Sequence, residues 1–542
     1  MKIDRRAALL GGAGAIAAAG AGAVGWHAVQ DDEPNTIMGG ANVQLGHRLR
    51  DGRFPTPTRT EDVTVLVVGG GVAGLATAWT LADAGVEDFV LLEMEGEVGG
   101  NARSGQNAVS AYPLGAHYLP VANREARALV HLLERLGMIT GSDASGAPVY
   151  DPYQLCADLQ ERVLWQGRWH EGLVPATGLS TADRRDLAAF HAAMERFRFA
   201  VGTDGRPAFA VPIAYSSDDP QFTDLDGVDF ASWLAQQGWR SPILLAHLRY
   251  CCRDDYGCEP QDISAWAGIH YFAGRRGWAA ADVADNVLTW PEGNARLTQA
   301  MAAAVAPKTR GKSLAFAVER NDNGGASVDY FDVDAGHSVR IQAKAVVMAM
   351  PHFVARRIAP ELVSDADGFS YSPWLVANVT LNRRPAGSGA ALAWDNVGFV
   401  GESLGYVVAT HQSQAMGSQT TVVTWYLPLS QGDPVTRRRE LLSRPASYWR
   451  DMVVADLLRT NPELDGAITD VALWRWGHAM VRPTPGFITR TAPATRAASS
   501  APIFLAHSDL SGLSLFEEAH YRGVVAAEAV MQLIGHPFES RI

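Results

Sequence analysis

The chain has 542 residues, a formal charge of −12, 47% hydrophobic and 19% charged residues. This balance supports a large buried core and excludes global disorder, and the length allows two or three domains. The acidic excess argues against nucleic acid or an anionic membrane as the main partner, since both require a basic face.

Residues 1–30 read as an address. Arg5 and Arg6 precede a stretch from Ala7 to Gly25 made almost wholly of Ala and Gly, the charged-then-apolar layout of a signal peptide. The arginine pair points to the twin-arginine translocase, and so to an exported, periplasmic protein. Ala21-Gly22-Ala23 offers a small-x-small cleavage site. The alternative is a retained N-terminal anchor, because the segment is nearly long enough to span a bilayer. No later window reaches that length without charge, so no other membrane span is expected. Residues 31–61 are polar and rich in Gly, Pro and Asp and read as a linker. The four cysteines, Cys156, Cys251, Cys252 and Cys258, form no Cys-x-x-Cys pair and no zinc-type spacing, so no metal site is expected.

Val63–Val68 is a short β-branched apolar run, the pattern of a parallel strand buried on both faces. It enters Gly69-Gly70-Gly71-Val72-Ala73-Gly74, a helical stretch over Leu75–Ala84, and a second strand over Phe89–Leu92 that ends at Glu93. Gly69 permits the tight turn, Gly71 lets the backbone approach a pyrophosphate, and Gly74 lets the helix pack close to the strand. The helix start, with Val72 and Ala73, offers free N–H groups to phosphate. Glu93 stands where a carboxylate accepts the ribose hydroxyls. Strand, glycines, helix, strand and acid in this order specify a dinucleotide site far better than the glycines alone.

The residues that follow decide which dinucleotide. Gly99-Gly100-Asn-Ala-Arg103 and Gly115-Ala116-His117 resemble the phosphate-contacting and flavin-facing segments of the amine oxidase and phytoene desaturase superfamily of FAD enzymes, although Arg103 comes three residues after Gly100 instead of directly after it. Ala315–Arg320, with Val318, is similar to that superfamily's adenine-contacting strand, and Ser338–Pro351 to the strand that returns to the FAD domain. Trp290–Ala302 resembles its re-entry turn and helix. Near the end, Pro502–Asp509 and the helix from Phe516 through Ala519 resemble the segment that closes on the flavin, with Asp509 on the ribityl chain. The resemblance implies a doubly wound Rossmann-type α/β FAD domain, assembled from residues 62–149, 286–351 and 486–542. An α+β substrate domain would be interleaved as 150–285, mostly helical, and 352–485, a sheet plus a helix over Leu441–Leu458.

Trp474–Gly486 resembles the segment lying against the flavin. It makes Trp476 and His478 the candidate catalytic residues, as an aromatic flank for a cation and as a base; the alternative is that both are packing residues. His117 is placed near the ring, in contact with it or with the ribityl chain. Many relatives hold a Lys that bonds through water to flavin N5, yet Lys occurs here only at Lys2, Lys308, Lys312 and Lys344, none suited to that place. The resemblance therefore implies a dehydrogenase passing electrons to a separate acceptor. The acidic residues Asp218, Asp219, Asp224, Asp226, Asp229, Asp254 and Asp255 guide a polyamine inward or form a solvated face. The expected reaction is oxidation of a small amine by hydride transfer to FAD. The alternatives are a desaturase of an isoprenoid and a flavin-binding assembly protein without turnover.

Overall fold

Two sheets organise the computed structural model, which describes residues 33–363, 368–412 and 418–542. The expected signal segment falls outside the described residues.

The first sheet has seven strands and carries the dinucleotide pattern. Its order is Thr309–Arg310, Phe89–Leu92, Arg59–Val68, His337–Met348, Ala326–Asp332 and Ser313–Arg320, with Ile503–Leu505 pairing the second half of His337–Met348. The central strands are parallel, and Val65–Val67 and Ala345–Val347 are fully buried. Those continuous apolar runs arise because helices cover both faces. The helices Val72–Asp83, Ala295–Val305 and Phe516–Ile534 contribute to one core, and His352–Ile358 to the other. Val68, Met348 and Leu505 stand in register, so the Gly69 loop, His352 and Asp509 all leave the sheet at its carboxyl edge, where ligands of such folds bind.

The terminal helix Phe516–Ile534 lies directly on the helix Val72–Asp83. A Cβ at Gly523 would meet the Ala73 carbonyl oxygen at 2.3 Å, and the Thr77 hydroxyl donates to the Gly523 carbonyl at 3.0 Å.

The second sheet has eight strands, in the order Asn35–Gly40, Ile468–Val481, Tyr371–Leu381, Thr421–Pro428, Tyr406–Val408, Asp395–Gly398, Glu161–Trp165 and Arg168–Glu171. Side chains alternate across it. Leu375, Ala377, Val379 and Trp425 pack with Trp449 and Val453 of the outer helix layer, whereas Trp374, Val376, Tyr426 and Trp476 face Tyr112 and Leu114. A separate core, around Phe190, Phe209, Phe230 and Trp266, belongs to the helices between residues 181 and 273.

Three expectations are corrected. Residues 31–61 are not a linker throughout. Asn35–Gly40 is an edge strand paired in parallel with Asp470–Arg475, and Val43–Asp51 is a helix capped by Asn42, with Leu45 packed beside Leu314 and Phe331. The polar composition reflects an edge strand and a half-exposed helix, each burying only one side. The helix expected over Leu441–Leu458 is two helices, Pro434–Ser443 and Ala446–Thr460. Pro445 breaks it, lacking an N–H and forcing Arg444 out of helical geometry. Finally, the mostly helical stretch 150–285 also contributes Glu161–Trp165 and Arg168–Glu171 to the far edge of the second sheet.

The Gly523 contact yields a test. Gly523→Ala gains about 1 kcal/mol of helix propensity, but overpacking against backbone loses about 1–3 kcal/mol. Net destabilisation in chemical denaturation is expected, with a lower flavin content. A variant as stable and as yellow as the parent would show that the two helices do not depend on this approach.

Candidate active site

The dinucleotide loop is built by close backbone contacts. A Cβ on Gly74 would lie 1.8 Å from the Gly69 carbonyl oxygen, so the helix abuts the turn. Above the loop there is space, since a Cβ on Gly71 would meet nothing nearer than Gly100 Cα at 3.9 Å. The helix Val72–Asp83 starts without a side-chain cap and without an acid in its first turn, leaving its first amides available to an anion. Glu93 accepts the Gly70 N–H at 2.7 Å and the Glu95 N–H at 2.8 Å. Burial pushes its carboxyl above the usual range, against the pull of those amides and Arg103. Gly99 N–H donates to the Gly70 carbonyl at 2.7 Å, which brings Gly99 and Gly100 beside the loop. Arg103 donates from Nε to the Gly100 carbonyl at 3.1 Å and lies 5.4 and 5.5 Å from the Trp474 and Trp476 rings.

Asp509 is buried at the same edge of the sheet. Its Oδ2 accepts the His352 N–H at 2.9 Å and the Tyr371 hydroxyl at 2.5 Å. Its Oδ1 has no donor: His507 Nδ1 is 3.1 Å away but accepts the N–H of Asp509 itself. An orphaned buried acceptor, an open glycine loop and uncapped helix amides fit a bound dinucleotide. Val318 is buried in the sheet beside Leu92, and Ala519 sits in the first turns of the terminal helix.

The segment Pro113–Tyr118, which the sequence expects beside a flavin, is gripped by the second sheet. Asn378 Nδ2 donates to the Pro113 carbonyl at 3.1 Å, Trp476 Nε1 to that of Leu114 at 2.6 Å and the Tyr426 hydroxyl to that of Gly115 at 3.1 Å. From the other side Asn294 N–H donates to the Ala116 carbonyl and Asn294 Nδ2 to that of Tyr118, at 3.1 and 2.9 Å.

Next to this segment is a cavity of about 240 Å³. His117 and Tyr118 form one wall, with the His117 ring stacked on Tyr426 at 4.5 Å between centroids. Tyr250 and Asp254 come from the helix Pro242–Tyr256, one turn apart and so on one face. Glu161 and Asp395 enter from adjacent strands, and Trp394 meets Tyr118 edge to face at 6.0 Å. The Tyr250 hydroxyl lies 3.0 Å from Asp395 Oδ2, and that of Tyr118 lies 3.4 Å from Asp254 Oδ2. Burial and then the Asp255 charge push Asp254 up to about 7. Burial followed by the charge of Glu161 pushes Asp395 well above the carboxylate range, and burial raises Glu161 itself. His117 is lowered by burial to about 4 and is neutral at physiological pH.

His478 and Trp476 do not line this cavity. The His478 ring stacks on Phe353 at 4.3 Å. Burial, then Arg438, Arg50 and His47, lower it to about 3, so its ring is a neutral acceptor. Trp476 is buried and spends its N–H on Leu114. The acidic stretch separates into two parts. Asp219 and Asp229 cap helices, Asp226 accepts from Thr489, and Asp218 and Asp224 are exposed. Only Asp254 reaches the cavity; Asp255 beside it pairs with Arg275 at 3.0 Å. The sequence pattern did not single out Glu161, Asp395, Tyr250 or Trp394, which come from segments far apart in the chain. The four cysteines are buried and free. Among the described residues, no helix is long and apolar enough to cross a membrane.

Comparison with known proteins agrees with this geometry. No curated protein matches the sequence. Among solved structures, putrescine oxidase bound to putrescine superposes with a TM-score of 0.63 at 16% identity, over 87% of this chain and 100% of that one. Cyclohexylamine oxidase from Brevibacterium oxydans IH-35A gives 0.62 at 16%, over 88% and 100%. A CLA-producing fatty acid isomerase from P. acnes gives 0.59 at 15%, over 87% and 98%. At these identities the likeness establishes the fold. The profile of the flavin-containing amine oxidoreductases matches residues 72–433, and the chain belongs to that family of FAD-dependent oxidoreductases.

Proposed function

We propose that this enzyme oxidises a small cationic amine, a diamine or polyamine, bound in the cavity beside His117. The observation that carries the reading is the lining itself: the carboxyl groups of Glu161, Asp254 and Asp395, with the exposed Asp285 paired to Arg198, among aromatic walls. Ammonium groups bind carboxylates through charge-assisted hydrogen bonds and bind aromatic faces through cation–π attraction. An isoprenoid would need an apolar pocket, and buried carboxyls would disfavour it.

When bound, FAD supplies the hydride acceptor, at N5, for the carbon bearing the amine. The chain's own residues do the rest. Gly69, Gly71, Val72, Ala73 and Gly74 would hold the pyrophosphate with Gly99, Gly100 and Arg103, and Glu93 the ribose. Val318 would meet the adenine, Asp509 the ribityl chain, and Ala519 the pyrimidine end of the ring. Gly115, Ala116 and His117 would line the flavin, fixed by the carbonyl bonds of Asn378, Trp476 and Tyr426. Trp476 is thereby a positioning residue, and His478, neutral and packed on Phe353, orders the same wall. Asp254, Asp395 and Glu161 hold the ammonium groups, while Tyr118 and Tyr250 keep the carboxyls oriented.

Anaerobic addition of 1,4-diaminobutane to the yellow holoenzyme is expected to bleach the flavin. Asp254→Asn removes one charged hydrogen bond, about 1.5–3 kcal/mol, and should raise the amine concentration needed by roughly ten- to a hundredfold. Bleaching by a polyene or isoprenoid and by no amine would overturn the reading.

Electrons then pass to an acceptor other than oxygen. This proposal rests on the lysines. Lys312 pairs with Asp334, Lys308 lies over Phe89 and Lys344 is exposed on its strand, and none lines the cavity. Slow reoxidation in air and fast reoxidation by an artificial quinone or dye are expected in stopped-flow; rapid stoichiometric peroxide release would refute this.

The N-terminal segment supports export through the twin-arginine translocase to the periplasm, with cofactor loaded beforehand. An Arg5→Lys, Arg6→Lys double variant should stay in the cytoplasm on fractionation. Its undiminished export would rule out that route.

A further inference from the structure

The amine cavity presents an imbalance of charge. Glu161, Asp254 and Asp395 face one cavity of about 240 Å³. Arg275, the only arginine or lysine in that lining among the described residues, is paired with Asp255 at 3.0 Å. Glu517, in the first turn of the terminal helix, also faces Arg275, so that guanidinium is shared between Asp255 and Glu517 and offsets the Asp254 charge only in part. The remaining polar groups of the lining are the amides of Gln160 and Asn286, the exposed Asp285 paired with Arg198, and phenols and a neutral imidazole. From the helix Pro242–Tyr256 comes Tyr250, bonded to Asp395. From the strand Tyr118–Pro120 comes Tyr118, between Asp254 and Asp255 at 3.4 Å from each. Tyr271 follows from the next helix, Tyr426 from the second sheet, and His117 stacks on Tyr426. None is a cation at neutral pH. Three carboxylates desolvated in one space repel each other, and without a counter-cation they cannot all ionise.

Resting on the amine reading, we infer that the cavity exchanges protons for its cation: with no amine bound, the carboxyl groups of Glu161, Asp254 and Asp395 retain protons, and entering ammonium groups displace them to solvent. The balance is simple. A carboxyl O–H breaks, its proton passes to the buffer, the ammonium keeps all its hydrogens, and an ion pair replaces the neutral acid. No oxidant or reductant takes part.

The direction of the pH dependence follows. A carboxyl whose pKa in the empty cavity is raised is protonated below that value, and binding lowers it. Proton release is therefore largest below the empty-cavity pKa and shrinks as pH rises through it, and amine affinity climbs over the same interval before levelling. With Asp254 at about 7, that interval is about pH 6–8. Two titrating carboxyls steepen the rise, because their protons leave as a coupled set. A site whose carboxylates are already ionised shows none of this, since the amine is fully protonated throughout.

The test is calorimetry of 1,4-diaminobutane binding to the holoenzyme, photoreduced and anaerobic so that no turnover occurs. Titrations at pH 7 in buffers of different ionisation enthalpy give the number of protons exchanged. Release of about one proton per diamine is expected, with a smaller count at pH 8.5. In Asp254→Asn and in Glu161→Gln the count should fall while weaker binding persists. Binding with no proton released, or with the same count in both variants, overturns the exchange and leaves the amine reading intact. Absence of diamine binding in the parent enzyme overturns both.

Discussion

Three consecutive carbonyl oxygens hold this active site together. Those of Pro113, Leu114 and Gly115 are taken by Asn378, Trp476 and Tyr426, side chains from three neighbouring strands of the second sheet. Strand periodicity makes this arrangement specific. Moving any of these strands by one residue would turn its donor into the helix-covered core. Asn378 is itself oriented by the Thr424 hydroxyl at 2.7 Å, so the grip is fixed from behind. The segment lies between two short strands, Ala111–Pro113 and Tyr118–Pro120, and the larger sheet supplies its bracing. The cavity beside His117 inherits this rigidity, because His117 and Tyr118 continue the same segment.

The electrostatics run against the usual economy of a fold. Buried carboxyls lose hydration, and most folds give each one a cation or several N–H donors. Asp219 follows that rule, accepting the N–H groups of Thr203 and Gln221 at 2.9 and 3.0 Å, and Asp329 pairs with Arg340 at 2.6 Å. In the cavity, Asp254 and Asp395 receive phenolic hydroxyls, with the Asn396 backbone beside Asp395. A deficit of this kind at a cleft marks a place where the missing partner arrives from outside.

The nucleotide half of the fold was legible in the sequence because its constraints are local. A buried strand, a glycine turn and an acid at the next strand end are read within Val63–Glu93, and each requires a particular residue type. The substrate half was less legible. Glu161, Asp254 and Asp395 are separated by whole elements and meet only through sheet order. Asp254 looked like part of a solvated acidic run, since the distinction between Asp218, which is exposed, and Asp254 depends on tertiary burial. The Tyr250–Asp254 spacing on one helix face was the available clue. Trp476 and His478 drew attention through residue type, yet their bonding in the structure is to backbone and to Phe353. The strand Asn35–Gly40 was obscured because edge strands favour polar residues.

The edge strand Asn35–Gly40 lies against Asp470–Arg475, and the glycine-loop helix lies under Phe516–Ile534. Both contacts join segments far apart in the sequence. The glycine-loop helix thus completes its packing only when a segment 446 residues further along the chain has folded onto it, a contact of high sequence separation and therefore slow to form.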